Sequence, residues 1–118
     1  TEAEWRHACS LSGITPTTAL EYAWCDDNAD WTPHPVATKP ADALGLHDLW
    51  GNVREWCTTH DGQPIAMGGC FFDPKDELGC DLRNVPTPDW QVTDPQVPKS
   101  IWWLSDADFM GIRVVCEP

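Results

Sequence analysis

The chain has 118 residues, 19 of them acidic against 7 Lys and Arg, for a formal charge of −12. That length gives one domain, or part of one, with a modest single core. Such a charge repels phosphate backbones and anionic membrane surfaces, so nucleic-acid binding is excluded and calcium or a basic protein partner fits better, with solubility alone as the simplest account of the acidity. No apolar run approaches membrane-spanning length and no signal peptide is present, so membrane insertion is not expected. The opening at Thr1, without an initiator Met, is expected of a processed, truncated or partial protein.

In chain order, Thr1-x-x-Glu4 is a capping box, with Thr1 at the N-cap and Glu4 at N3. It predicts a helix whose Trp5, Ala8 and Cys9 share one face and which Gly13 and Pro16 end. Residues 22–43, rich in Asp, Asn, Pro and Thr, read as an ordered loop pinned by Trp24 and Trp31. There follows Gly45-Leu46-His47-Asp48-Leu49-Trp50-Gly51-Asn52-Val53-Arg54-Glu55-Trp56-Cys57. Gly, Asp, Asn and Glu stand here between Leu, Val and Trp. Such a segment folds back on itself, buries its apolar side chains and gathers oxygens at one point, the donor chemistry of a hard cation such as Ca²⁺. Residues 52–57 read as a short strand or turn. Residues 65–72 are apolar around Gly68-Gly69, and a glycine pair in a strand marks a bulge or a close backbone approach. Asp73-Pro74 caps a short helix reaching Leu78, stopped by Gly79. Pro86, Pro88, Pro95 and Pro98 argue against regular structure over 84–99. Ile112, Val114 and Cys116 alternating with Arg113 and Val115 predict a strand over 111–116.

The expected fold class is an irregular, loop-rich α+β domain in which eight tryptophans, most of them in the core, supply large buried area. Trp102-Trp103 is expected to pack under a loop, with stacking on a sugar or a protein partner as the alternative. Six cysteines (Cys9, Cys25, Cys57, Cys70, Cys80 and Cys116) without a Cys-x-x-Cys pair or a His-Glu-x-x-His give no signal for zinc or haem. They read as a disulfide framework of an oxidising compartment, in which six cysteines allow fifteen pairings that spacing does not resolve. His60-Asp61 has no nucleophile at a meaningful spacing. A Cys70/His60 dyad is outweighed by a disulfide or a buried thiol. His7, His34 and His47 are assigned no chemistry.

Thr1-Glu2-Ala3-Glu4-Trp5, Gly45-Leu46-His47-Asp48, Gly51-Asn52-Val53-Arg54-Glu55-Trp56, Gly68-Gly69 and Gly111-Ile112-Arg113-Val114 together resemble the formylglycine-generating enzyme, or sulfatase-modifying factor, family. The family patterns run roughly TEAEWEYA, GLYDMxGNVWEW, RGGSW and GFRVA, in the same order. The resemblance spans nearly the whole chain and implies that residues 1–118 are the C-terminal part of one such domain, with an irregular α+β fold related to C-type lectins. It implies a structural calcium ion held by the Asp48 side chain, the Gly51 and Val53 carbonyls and the Glu55 carboxylate. The segment from Asn28 to Val36 is too short for the family's second calcium site. A Cys9–Cys80 disulfide is implied in the same way, with Cys80-Asp81-Leu82-Arg83 standing for the family's Cys-Ala-Ala-Arg. Cys116 is left unpaired or joined to Cys25, and Cys57 and Cys70 pair if their strands are neighbours.

The resemblance fails where the chemistry would be. Family enzymes oxidise a substrate cysteine with two closely spaced, copper-binding cysteines after the glycine pair. Here the first position holds Asp73 and the second falls near Leu78, and neither supplies the soft thiolate that copper(I) needs, so no copper is expected. Arg54 replaces the usual Trp before Glu55. The expected function is a non-catalytic module for protein or ligand binding or scaffolding, stabilised by calcium and disulfides, in a secreted, periplasmic or cell-envelope protein. Its partner is another protein or the remainder of a larger chain, and a glycan is possible. The loop Asp94 to Lys99 with Trp102-Trp103 is the expected contact surface. A formylglycine-generating oxidase acting on sulfatase cysteines and a lectin-like sugar-binding module are the alternatives.

Overall fold

The computed structural model describes residues 1–117. Helix α1, Glu2–Leu11, starts on the Thr1 capping box and ends at Ser12, whose N–H and hydroxyl both donate to the Cys9 carbonyl. It buries Trp5 and Cys9 while Ala8 is half-buried, so the apolar face is the one the spacing implies. A second, four-residue helix α2, Ala19–Tyr22, fixes Ala19 in the core.

Four strands form one sheet in the order β3-β2-β1-β4, with β1 at Arg54–Thr58, β2 at Pro64–Met67, β3 at Arg83–Asn84 and β4 at Met110–Gly111. A hairpin joins β1 to β2, antiparallel, with Trp56 opposite Ala66. Its loop closes on Thr59, which exchanges bonds with Gln63 and Gly62. Strand β4 is parallel to β1. The glycine pair just after β2 marks a close approach: a Cβ on Gly68 would lie 2.9 Å from the Leu49 carbonyl and 3.1 Å from the Trp5 ring.

Two apolar clusters result. One gathers Trp5, Cys9, Cys25, Leu49, Trp50, Ile65 and Met67 under α1, and a smaller one holds Ala29, Cys70 and Phe71. A disulfide joins Cys9 to Cys80, and the Trp50 indole N–H donates to the Cys9 sulfur at 3.1 Å. Cys25, Cys57, Cys70 and Cys116 are free thiols, so the Cys57–Cys70 and Cys25–Cys116 pairings are absent.

Three expectations about elements fail. The strand over 111–116 stops at Gly111, and Ile112, Val114 and Val115 stand exposed, because alternation fixes faces only where a partner ladder exists and β4 pairs only at Met110 and Gly111. Within 84–99 a 3₁₀ turn does form at Pro88–Gln91, since proline is suited to a first helical position. The tryptophans are less buried than expected. Trp5 and Trp50 are in the core, Trp24, Trp56, Trp90 and Trp103 are half-buried, and Trp31 and Trp102 are 67% exposed. The molecule is flat, 43 × 37 × 22 Å, and its 14.4 Å radius of gyration exceeds the about 13.5 Å of a compact chain of this size, so few large side chains can be covered on all sides.

Candidate functional site

The turn from Gly45 to Glu55 is built on left-handed backbone. Asp48, Gly51 and Asn52 have φ of 56°, 75° and 59°. Gly51 admits no side chain, since a Cβ would stand 2.2 Å from the Trp24 carbonyl. Asn52 is a short polar residue that tolerates this region, and its amide pays for the conformation by pairing with His34 in both directions, accepting from the His34 N–H at 2.9 Å and donating to its carbonyl at 3.0 Å. The loop before the turn is thereby pinned by Asn52 and by Trp24, whose ring stacks on His34 at 3.8 Å and donates to Thr38.

Asp48, Val53 and Glu55 line one cavity of about 290 Å³, together with Arg113. Asp48 is 8% exposed; its Oδ2 accepts from the Ala37 N–H, and its buried Oδ1 has no partner. Asp42, equally buried, likewise leaves Oδ2 unpaired while Oδ1 takes the Leu44 and Leu46 N–H groups. Glu55 is placed differently. Arg113 grips it with Nη2 to Oε1 at 2.6 Å and Nε to Oε2 at 2.9 Å, and the Trp5 indole donates to Oε2 at 3.0 Å. The same guanidinium donates to the His47 carbonyl. Burial works against the charge of Arg113, but the Glu55 hydrogen bonds and the nearby Glu55, Asp48 and Asp42 charges outweigh it and push its pKa above the ordinary value.

These positions fit a hard cation in part. Asp48 offers an orphaned, buried carboxylate oxygen, and neither the Gly51 nor the Val53 carbonyl is engaged by the loop hydrogen bonds among the described residues. A carboxylate has about four lone-pair sites, and Arg113 and Trp5 direct four hydrogen bonds at Glu55, two to each oxygen, so this carboxylate reaches a cation only by giving up one of them. The four candidate ligands include only two carboxylates, and among the described residues no group of three or more His, Cys, Asp or Glu converges as metal ligands. Arg113 and Asp42 were not legible as neighbours of this turn. Arg113 lies 58 positions from Glu55, and no spacing rule joins them.

The second site lies beyond β2. Arg54, at the start of β1, donates through Nη2 to both Asp73 oxygens, at 3.0 and 3.1 Å, and both side chains are almost fully buried. Asp73 Oδ2 also accepts from the Cys70 N–H at 2.8 Å. The guanidinium is enclosed by Phe109, Phe72 and Trp90, with ring centroids 4.8, 5.1 and 5.8 Å from its central carbon. Such faces attract a cation without supplying a reactive group. Leu78 is a core residue packed under Gly69. Burial pushes the Cys70 thiol up to about 12, which keeps it protonated and non-nucleophilic at neutral pH.

Asp94 ends the third region, where its Oδ2 accepts from the Ser100 N–H and hydroxyl and its Oδ1 from the Gln96 N–H, folding the loop that leads to Trp102 and Trp103. These two rings lie 6.0 Å apart; Trp102 stands largely in water, so the expected packing under a loop fails there, while Trp103 is half-buried.

Residues 1–117 match the family described as Sulfatase-modifying factor enzyme 1-like domain. The serine/threonine-protein kinase pkn1 of Chlamydia caviae is 31% identical, covering 71% of this chain and 18% of its own. Pkn1 of Chlamydia trachomatis serovar L2 is 33% identical, covering 70% and 17%. The chain thus spans less than a fifth of these relatives. Among solved structures, Treponema denticola variable protein 1 has the same fold, with a TM-score of 0.70 and 22% identity over 95% of this chain and 44% of that one.

Proposed function

Because this chain belongs to the sulfatase-modifying factor enzyme 1-like domain family, we propose that it is a non-catalytic member, a module that binds or scaffolds a partner and performs no cysteine oxidation. One observation carries the proposal. The resemblance puts the first copper-binding cysteine at Asp73 and a Trp at Arg54, and these two departures touch each other as a buried ion pair. An oxygen acid neutralised by a guanidinium inside an aromatic box offers copper(I) no soft ligand and no open position. The relatives matched over these residues are named as kinases, and this chain spans less than a fifth of them, which agrees with a domain that serves a larger chain.

A structural calcium ion at Asp48, Gly51, Val53 and Glu55 is part of the proposal, supported by the unpaired Asp48 oxygen. Its chemistry there would be charge neutralisation and cross-linking of the turn. An exported setting is supported by the Cys9–Cys80 disulfide, which persists where thiols are oxidised. The test is direct. Copper(I) is titrated against a chromogenic chelator into a Cys116→Ser variant, which removes the exposed thiol, and oxidation of a cysteine-containing peptide is followed by mass. No copper retention and no loss of the peptide thiol are expected, whereas turnover to an aldehyde ends the non-catalytic reading.

A further inference from the structure

We propose that Arg113 is the built-in competitor of a calcium ion at the turn of residues 45–55: it holds the Glu55 carboxylate when the site is empty, lets go when the site is loaded, and thereby frees residues 112–117. This rests on the calcium reading above and deepens it, because it names the residue that sets the affinity of that site and the segment that its filling changes.

Charge and hydrogen bonding define the contest. Asp48, Val53, Glu55 and Arg113 line the same cavity of about 290 Å³. Asp48 keeps a buried oxygen without a partner there, so the cavity attracts positive charge. Among the described residues, Arg113 is the one Lys or Arg in its wall. The guanidinium sends three hydrogen bonds to Glu55, at 2.6, 2.9 and 3.1 Å, and the Trp5 indole sends a fourth at 3.0 Å. Every lone pair of the carboxylate is then taken, so Glu55 turns to a cation only after a donor leaves.

Burial decides which donor leaves. Trp5 is 6% exposed within the core cluster, and its indole N–H would be stranded there without an acceptor. The Arg113 side chain is 27% exposed, so water can take up its charge, and a divalent ion in the same cavity repels it. Arg113 is the donor that yields. Its other bond, to the His47 carbonyl at 2.7 Å, lies one residue before Asp48 and meets the same repulsion.

The consequence reaches the segment after β4. That strand pairs with β1 only at Met110 and Gly111. Beyond it Ile112, Val114 and Val115 stand exposed, and the Cys116 thiol bonds only to its neighbour Glu117. Among the described residues, Arg113 is the only side chain of 112–117 with a hydrogen bond outside the segment. Holding Glu55 and holding this segment down are thus one act. By linkage, the factor by which Arg113 lowers calcium affinity is the factor by which calcium loosens Arg113.

The test compares the wild-type chain with Arg113→Gln and Arg113→Lys. Calcium binding is read by titration calorimetry. The Arg113 and Trp5 side-chain N–H signals are followed by heteronuclear NMR, with amide hydrogen exchange over residues 112–117. Arg113→Gln is expected to bind calcium about tenfold more tightly than the wild type. Arg113→Lys, which keeps the charge without the fork, is expected to fall between them. A merely structural role for Arg113 gives the opposite sign, since breaking the pair would then loosen the turn and weaken binding in both variants. In the wild type, calcium is expected to abolish the protected Arg113 Nε–H signal and to speed exchange over 112–117, while the Trp5 signal persists. Equal or weaker binding by Arg113→Gln, or an Arg113 signal that survives calcium saturation, overturns the proposal and leaves the calcium site standing. Absence of binding heat in all three forms removes the calcium site itself, and the competition with it.

Discussion

Arg54 and Asp73 are removed from water together, and each is costly without the other. Desolvating two ions is repaid only by close geometry and by satisfaction of the remaining groups, and here Cys70 N–H and three aromatic faces assist while Arg54 Nε stays unpaired. Removing one partner of a buried pair costs about 3–5 kcal/mol, whereas replacing both by apolar residues is often nearly neutral. Arg54→Leu is therefore expected to lower the unfolding free energy by about that amount, as is Asp73→Leu, while the double variant recovers most of the loss. Urea unfolding of the four proteins measures this, and additive losses would mean the two side chains do not depend on each other. From the sequence, Arg54 and Asp73 are legible as two departures from a family pattern. Their contact is not, because they are 19 positions apart on different elements and no periodicity joins them.

At the scale of elements, what could be read was what the local backbone demands. The capping box at Thr1 and Glu4, the close approach at Gly68 and the Gly51-Asn52 turn each follow from one or two residues with narrow conformational choices. The last strand could not be read, because Ile112, Val114 and Cys116 alternate as a strand does but their ladder is not among the described residues. The turn at residues 45–55 also carries the metal prediction. Asp48 Oδ1 is orphaned where burial makes an unpaired charge expensive, so a cation gains by reaching it. A ligand that binds only the folded state adds RT ln(1 + [L]/Kd), about 2.7 kcal/mol at a hundred times Kd. Calcium is expected to raise the melting temperature and a chelator to lower it, read by scanning calorimetry. Asp48→Asn, which keeps an acceptor for the Ala37 N–H but not the charge, is expected to abolish the response. Glu55→Gln is the poorer probe, since Glu55 also holds Arg113 and Trp5. A melt indifferent to calcium would remove the site.

In the whole molecule, regular structure is sparse, and long-range ties must do what long helices and strands do elsewhere. Helix α1 reaches β3 and the segment just before it through three of them: the Cys9–Cys80 disulfide and the Arg6–Asp81 and Arg83–Glu2 ion pairs. Asp81 is 94% exposed and Arg83 42%, and ion pairs so wetted contribute about 0–1 kcal/mol. The disulfide is of another order. It closes a sequence separation of 71, and in the chain-entropy model a loop of that size withdraws about 4 kcal/mol of freedom from the unfolded chain. Total stabilities run to only about 5–15 kcal/mol, so this one bond is a large share of what a domain of this size has. Reduction, or Cys80→Ser, is expected to lower the unfolding free energy by about 4 kcal/mol in urea titrations. Arg6→Ala and Arg83→Ala are expected to change it by less than about 1 kcal/mol each. The two classes of variant separate the covalent tie from its polar neighbours. If reductant left the midpoint in place, α1 would have to be held mainly by the Trp5 and Trp50 packing and the Trp5–Glu55 hydrogen bond, and the weight given to the disulfide would pass to them.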